Sequence, residues 1–179
     1  MRTRPKSAHG FTIIEVIVTM TVAGILMMLA VPAFNTFIQN QRITTATNSL
    51  VLSLNLARSE AIKRDLPTGV TVCASTDALT CNGTSWTGGW IVIDTSGGAT
   101  AGVLSGVATI GTNDTISEAA GQLQAVFQSN GTVTQSASFT ICDIRGAGSA
   151  HSIDLGPTGR VLTSPTPGQT VTGAALACP

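Results

Sequence analysis

A carboxylate stands where it is least welcome. "GFTIIEVIV", residues 10–18, places Glu15 near the leading edge of an apolar run. An acid in apolar surroundings is costly unless it is given a partner. The residues just before it show how a partner can arise. In an ordinary secretory signal the small-residue cleavage site follows the apolar core. Here the small residue, Gly10, precedes that core. Hydrolysis of the Gly10–Phe11 bond would release the basic leader, retain the apolar helix and create an ammonium on Phe11. Phe11 and Glu15 are four apart and share a helical face. The new amine and the carboxylate can then neutralise each other, within one chain or between neighbours in an assembly.

Other residues invite chemistry and do not assemble it. His151, Ser152 and Asp154 are close in sequence, but successive side chains of a strand point to opposite faces, and a hydrolase triad is a matter of geometry. There is no phosphate loop or nucleotide fingerprint, and "GTNDTISEAAGQ" lacks the spacing of an EF-hand. The four cysteines, Cys73, Cys81, Cys142 and Cys178, contain no C-x-x-C pair, and His151 is the only histidine beyond the start of the chain. Zinc is therefore disfavoured. No metal ligand, catalytic residue or cofactor is expected, and the chain reads as a substrate rather than a catalyst. Four cysteines allow three disulfide connectivities. Cys73–Cys81 with Cys142–Cys178 is favoured because the first pair brackets a short polar loop, "ASTDALT".

These residues need elements to hold them. No charge occurs from Val16 to Phe34, a stretch long enough to cross a hydrocarbon core of about 30 Å as a helix. Overall the chain is apolar, with a mean hydropathy of +0.35 and only 10% charged residues. Its zero formal net charge hides an asymmetry. Arg2, Arg4 and Lys6 precede the apolar run, whereas after Thr68 only Arg145 and Arg160 face six acids. Basic residues hold their end in the cytoplasm, which puts the mildly acidic remainder outside an inner membrane, where cysteines pair. The helix is expected to continue to about Arg64 on an apolar stripe of Ala46, Leu50, Leu54, Ala57 and Ala61. "DLPTG", with Pro67 and Gly69, then stops it.

Beyond Thr68 come short β-like runs, "GVTVCAS", "WIVIDT", "QAVFQ", "SFTICDI" and "HSIDL", separated by Gly/Ser/Asn-rich turns such as "TSGGATAG" and "QSNGT". The expected fold class is α+β: a long N-terminal helix packed on a small antiparallel β-sheet head. Trp90 is expected in the core and Trp86 over the disulfide loop. Four segments result: a cleaved leader (1–10), a membrane and filament-core helix (11–34), an amphipathic stem (35–66) and a β-rich periplasmic head (67–179).

"GFTIIEVIVTMTVAGILMMLAVPAF" resembles the processing site and helix of type IV pilins and type II secretion pseudopilins. The resemblance implies cleavage after Gly10 by a prepilin peptidase, N-methylation of Phe11 by the peptidase/methyltransferase, and a role for Glu15 in recognising a neighbouring subunit's terminus. It further implies a single-pass inner-membrane precursor, other major and minor pilins or pseudopilins as partners, and an inner-membrane assembly platform. Gly24 and Pro32 fall where this family often weakens its helix, for proline removes a ladder bond and glycine adds backbone freedom; a tolerated kink is the plainer reading. "LARSEAIKR" at 56–64, its charges read as a solvated face, resembles the helix end of the GspH/FimT subgroup. So does the order "VTVCAST", "GGWIVI", "FTICDIRG", "GPTGRV". The implied function is a minor pilin or pseudopilin, in initiation or at the tip.

FimT-like members are associated with DNA uptake and carry a Gly-Arg-x-Arg motif. This chain reads "GRVL", so Arg160 matches the first arginine while Leu162 replaces the second. Arg145 and a pH-dependent His151 are the remaining candidates for DNA contact. Phosphate binding needs clustered cations, and an acidic head with two arginines is a poor footprint. The alternative is that Arg160 caps a turn or pairs with Asp143 or Asp154.

Overall fold

The computed structural model describes residues 10–65, 69–95, 102–108, 110–111 and 113–179. Helix α1 runs Ile13–Arg64. Thr12 opens it, its hydroxyl accepting the Glu15 N–H at 3.3 Å. Glu15 lies in the first turn and Lys63 and Arg64 in the last, matching the sign of each end of the helix dipole. The helix is continuous through Gly24 and Pro32. It ends at Asp65, whose φ is 49°; Pro67, the expected breaker, lies outside the described residues. Gly69 follows at φ 79°, and a Cβ there would strike the Phe127 carbonyl, so only glycine brings the chain this close to the neighbouring strand.

The chain divides into two compact units, Met1–Gln39 and Asn40–Pro179. In the first, apolar side chains such as Ile14, Ile17 and Leu26 are exposed. In the second, all five residues of the predicted stripe are buried, joined by Ile43 one turn earlier. Leu50, Leu54, Ala57 and Ala61 have no accessible surface.

Eight strands follow: β1 Val70–Ala74, β2 Gly89–Asp94, β3 Gly102–Ala108, β4 Thr115–Glu118, β5 Gln124–Phe127, β6 Ala137–Cys142, β7 His151–Leu155 and β8 Val161–Thr163. They form two four-stranded sheets, ordered β3-β2-β1-β5 and β4-β6-β7-β8. Every strand pair is antiparallel. The fold class is thus α+β with a long helix on antiparallel sheet, but the sheet is divided in two. A bridge between Phe127 and Val133 carries the chain from the first sheet toward the second.

The core joins both sheets to the helix stem. Val70, Val72 and Trp90 of the first sheet and Phe139, Ile141 and Ile153 of the second belong to one buried cluster with Leu50 and Leu54. Trp90 lies in it as expected, its indole N–H donating to Ser53 Oγ on α1 at 2.9 Å. Trp86 is a core residue rather than a cover for the disulfide loop. Its ring meets Phe139 edge-on at 4.9 Å, and its N–H donates to the Gln122 carbonyl at 2.7 Å.

Candidate functional sites

Gly10 and Phe11 are exposed ahead of α1. The Glu15 main chain is engaged by Thr12, while its carboxylate has no hydrogen-bond or ion-pair partner among the described residues. The acid and the Gly10–Phe11 bond are therefore both open to other molecules.

The cysteines are bonded Cys73–Cys81 and Cys142–Cys178. The first bond closes a loop organised around Asp77. That carboxylate accepts from the Leu79 and Thr80 N–H groups, each at 2.8 Å, and from Ser75, Thr80 and Asn82 side chains. The donors hold its pKa far below the usual carboxylate range. The second bond ties the C-terminal segment to β6. That segment also donates the Gly168 N–H to the Ala150 carbonyl and accepts the Ser152 hydroxyl at the Gln169 carbonyl, 3.1 Å away.

Of the three residues proposed to meet DNA, one is otherwise engaged and one is uncharged at neutral pH. Arg145 holds Asp143 with Nε at 2.9 Å and Nη2 at 2.5 Å, and its Nη1 donates to Asn40 of α1 at 2.6 Å. Burial, and then the nearby Arg145 charge, lower the His151 pKa below its ordinary 6.5, so this imidazole is neutral at pH 7. Arg160 is exposed, and its guanidinium has no partner among the described residues. It pairs with neither expected acid: Arg145 takes Asp143, and Asp154 accepts from Ser138 at 2.6 Å. Arg145 and His151 precede or begin β7 while Arg160 follows it, so the five-residue strand separates them by about 17 Å. The three do not form one cationic patch.

His151, Ser152 and Asp154 form no triad. Their hydroxyl and carboxylate are spent on Gln169 and Ser138 respectively. Among the described residues no group of three or more His, Cys, Asp or Glu could hold a metal ion.

Two features escaped the sequence reading. The charges of "LARSEAIKR" are not simply a solvated face. Arg58 Nε donates to the Gly131 carbonyl at 3.2 Å, and Arg64 bonds both Glu60 at 2.7 Å and the buried Asp94 of β2 at 3.2 Å. The signal was present, since Arg64 continues the 57, 61 spacing of the buried stripe. Asp114 was weighed only as one of six head acids and within "GTNDTISEAAGQ", not as a buried group. It is 7% exposed and its carboxylate has no hydrogen-bonding partner among the described residues. Burial, and then the neighbouring Asp143 charge, raise its pKa, against the opposing pull of Arg42 and Arg145.

The family described as Type II transport protein GspH matches residues 46–169, more than half of the chain. The chain belongs to the GspH family. The prokaryotic N-terminal methylation motif matches residues 5–31 of this GspH-family chain, the segment that contains Gly10, Phe11 and Glu15. Two crystal structures of the Pseudomonas aeruginosa type IV minor pilin FimU share its fold. In the P21 crystal form the TM-score is 0.59 at 20% identity, covering 80% of this chain and 99% of that one. In the P65 form it is 0.57 at 22% identity, covering 76% and 99%. No curated protein matches the chain. GspH membership and the minor-pilin fold belong to structural subunits and identify no catalytic centre.

Proposed function

We propose that this GspH-family chain is a minor pilin or pseudopilin of a type IV pilus or type II secretion system, inserted in the inner membrane by residues 11–34 with its head in the periplasm. Prepilin peptidase cuts after Gly10 and Phe11 is N-methylated. The mature chain then leaves the membrane through the assembly platform and joins other pilins or pseudopilins, in initiation or at the tip. The observation that carries this reading is Glu15: an acid in the first turn of an apolar helix, without a side-chain partner among the described residues, four residues after the amine that cleavage would create. In an apolar bundle such a pair contributes register more dependably than stability. Gly24 and Pro32 are proposed as points where the bundled helix can stretch.

The test is direct. Mass spectrometry of the mature chain should give Phe11 as the first residue, with one added methyl group. Glu15→Ala should leave membrane insertion intact and abolish recovery in sheared filaments. A mature chain beginning at Met1, or normal incorporation of the variant, would refute the proposal. Binding to DNA draws little support from the head, where Arg160 is the one unpaired candidate cation of the three and the phosphate term scales with the number of cations engaged.

A further inference from the structure

Two acids face each other at the mouth of the β4–β6 ladder. The register pairs Thr115 with Cys142 and Ile116 with Ile141. Carried one position further, it sets Asp114 opposite Asp143. Both are buried, Asp114 at 7% exposure and Asp143 at 8%. Like charges directly opposed on neighbouring strands destabilise the pairing, and two carboxylates sharing a site do not both ionise freely. The ladder stops where they meet, for β4 begins at Thr115.

The surroundings decide which acid holds the proton. Asp143 is committed as an anion, because Arg145 gives it Nε, Nη2 and the main-chain N–H. Asp114 receives no hydrogen bond from the described residues. Its Oδ2 is packed close over Gly111, 2.9 Å from where a Cβ on that glycine would stand. Arg42 of α1 and Arg145 favour a charge on Asp114, and Asp143 opposes it. His151, at the start of β7, acts on Asp143. Arg145 is spent on Asp143 and Asn40, while Arg42 is exposed, where solvent screens it. No other charged residue occurs in residues 102–117. Burial without a dedicated cation therefore suits Asp114 in its neutral form.

The chain around Asp114 is attached unevenly. The Ala119 N–H takes the Ser138 carbonyl, and bonds alternate along an antiparallel ladder, so Thr115 and Ser117 turn their N–H groups to β6. Ile116 turns the other way and is tied to Thr87 Oγ1 at 2.9 Å. Thr115 is thus the last rung before the acids, and Ile116 is a separate anchor one residue on. The Asp114 N–H reaches only the Gly111 carbonyl, at 3.5 Å.

We infer that the Asp114–Asp143 pair is a pH-sensitive latch at the open end of the second sheet. With Asp114 protonated, residues 113–115 stay docked beside β6. When the proton leaves, the new charge drives them off Asp143 toward water, as far as the Ile116 anchor. The latch uses no residue of the apolar segment 11–34, so its failure would leave the Glu15 reading untouched.

The test uses the full-length chain, labelled with nitrogen-15 and carbon-13, in zwitterionic micelles over about pH 3–8. NMR should show the Asp114 carboxyl carbon titrating above its ordinary value of 3.8. Across the same interval the Thr115 amide should lose at least about tenfold in exchange protection, corrected for base catalysis, which is the effect of displacing one titration by one pH unit. The Ile116 amide should keep its protection. Asp114→Asn should hold Thr115 protected throughout. Arg42→Gln removes a cation that favours the ionised form, so the loss should move to higher pH. An Asp114 carboxyl titrating at or below its ordinary value in the wild type would overturn the latch without any variant. So would equal losses at Thr115 and Ile116, which mark general unfolding, the same loss in Asp114→Asn, or an unmoved midpoint in Arg42→Gln.

Discussion

Replacing Ser53 by alanine tests whether the helix stem is locked to the sheet or merely laid on it. Ser53 Oγ accepts the Trp90 indole N–H at 2.9 Å, and both residues are buried. Alanine removes the acceptor from a site closed to solvent. An orphaned buried donor costs about 1–3 kcal/mol, and the better helix propensity of alanine returns roughly 0.5 kcal/mol. The Ser53 hydroxyl also donates to the Ser49 carbonyl at 2.9 Å, a local helical bond whose loss adds little. The net expectation is a loss of about 0.5–2.5 kcal/mol, or about 1–10 °C in Tm for a chain of this size. Urea denaturation of the full chain in micelles, followed by circular dichroism, gives the midpoint shift. The decisive comparison is made in Trp90→Phe, which removes the N–H. There Ser53→Ala should cost nothing, giving a coupling of about 0.5–2.5 kcal/mol in the double-mutant cycle. Equal costs in the two backgrounds would show that the bond contributes no stability and that the stem is held by apolar contact alone.

Three further outcomes follow from the same structure. Cys178→Ser opens a crosslink spanning 36 residues and should cost about 4 kcal/mol on the chain-entropy model; Cys81→Ser, spanning 8, should cost about 2.5 kcal/mol by the same relation, and reversal of that order in denaturation midpoints would contradict it. For Asp114 the raised pKa means that the folded state binds the proton more tightly than the unfolded chain. Its contribution to stability therefore increases as pH falls from above the folded pKa toward the unfolded value near 3.8. The difference between wild type and Asp114→Asn should show this slope, and a flat or opposite difference would refute it. Glu15→Ala should abolish filament incorporation without altering the unfolding of the head, because Glu15 lies outside the unit that contains the sheets.

Legibility in the sequence tracked how far each signal reaches. The buried stripe of α1 was readable because its period is local, and the apolar strands β1, β2, β5, β6 and β7 were readable because they are rich in β-branched or aromatic residues. The strands missed, β3, β4 and β8, all lie at sheet edges. An edge strand has one neighbour instead of two, so it needs less apolar side chain to be held. "GVLSGVA" with two glycines, "TISE" and "VLT" therefore look like loop until a partner strand is supplied. The division into two sheets was not legible for a related reason. It depends on β1 pairing with β5 and β4 with β6 across intervening chain, information that no local window contains.

The site residues divide along the same line. Gly10, Phe11 and Glu15 could be singled out because their relation is a spacing within about one helical turn. Arg145, His151 and Arg160 were grouped by charge alone, and the fold separates them, since the β7 hairpin connections set two at one end and the third at the other. Asp143 supplied the competing interaction for Arg145, as Asp94 did for Arg64.

The internal use of charge has a consequence for what this head can recognise. Arg64, Arg145, Asp77 and Glu118 are all engaged by groups of the same chain. A ligand displacing one of them would have to replace several directed bonds, each strengthened by charge. Long-range electrostatic steering is correspondingly weak, for the unspent charges are few and separated. Any recognition by the head would then rest on shape and on uncharged hydrogen-bonding groups, at close range. Such contacts are short-lived one at a time, and they gain residence when many heads or many copies of a ligand are presented together. On the role proposed for Glu15, a filament would provide that presentation only if the carboxylate sets the register; without it, a head that binds by shape alone would have little to hold it at the place where binding counts.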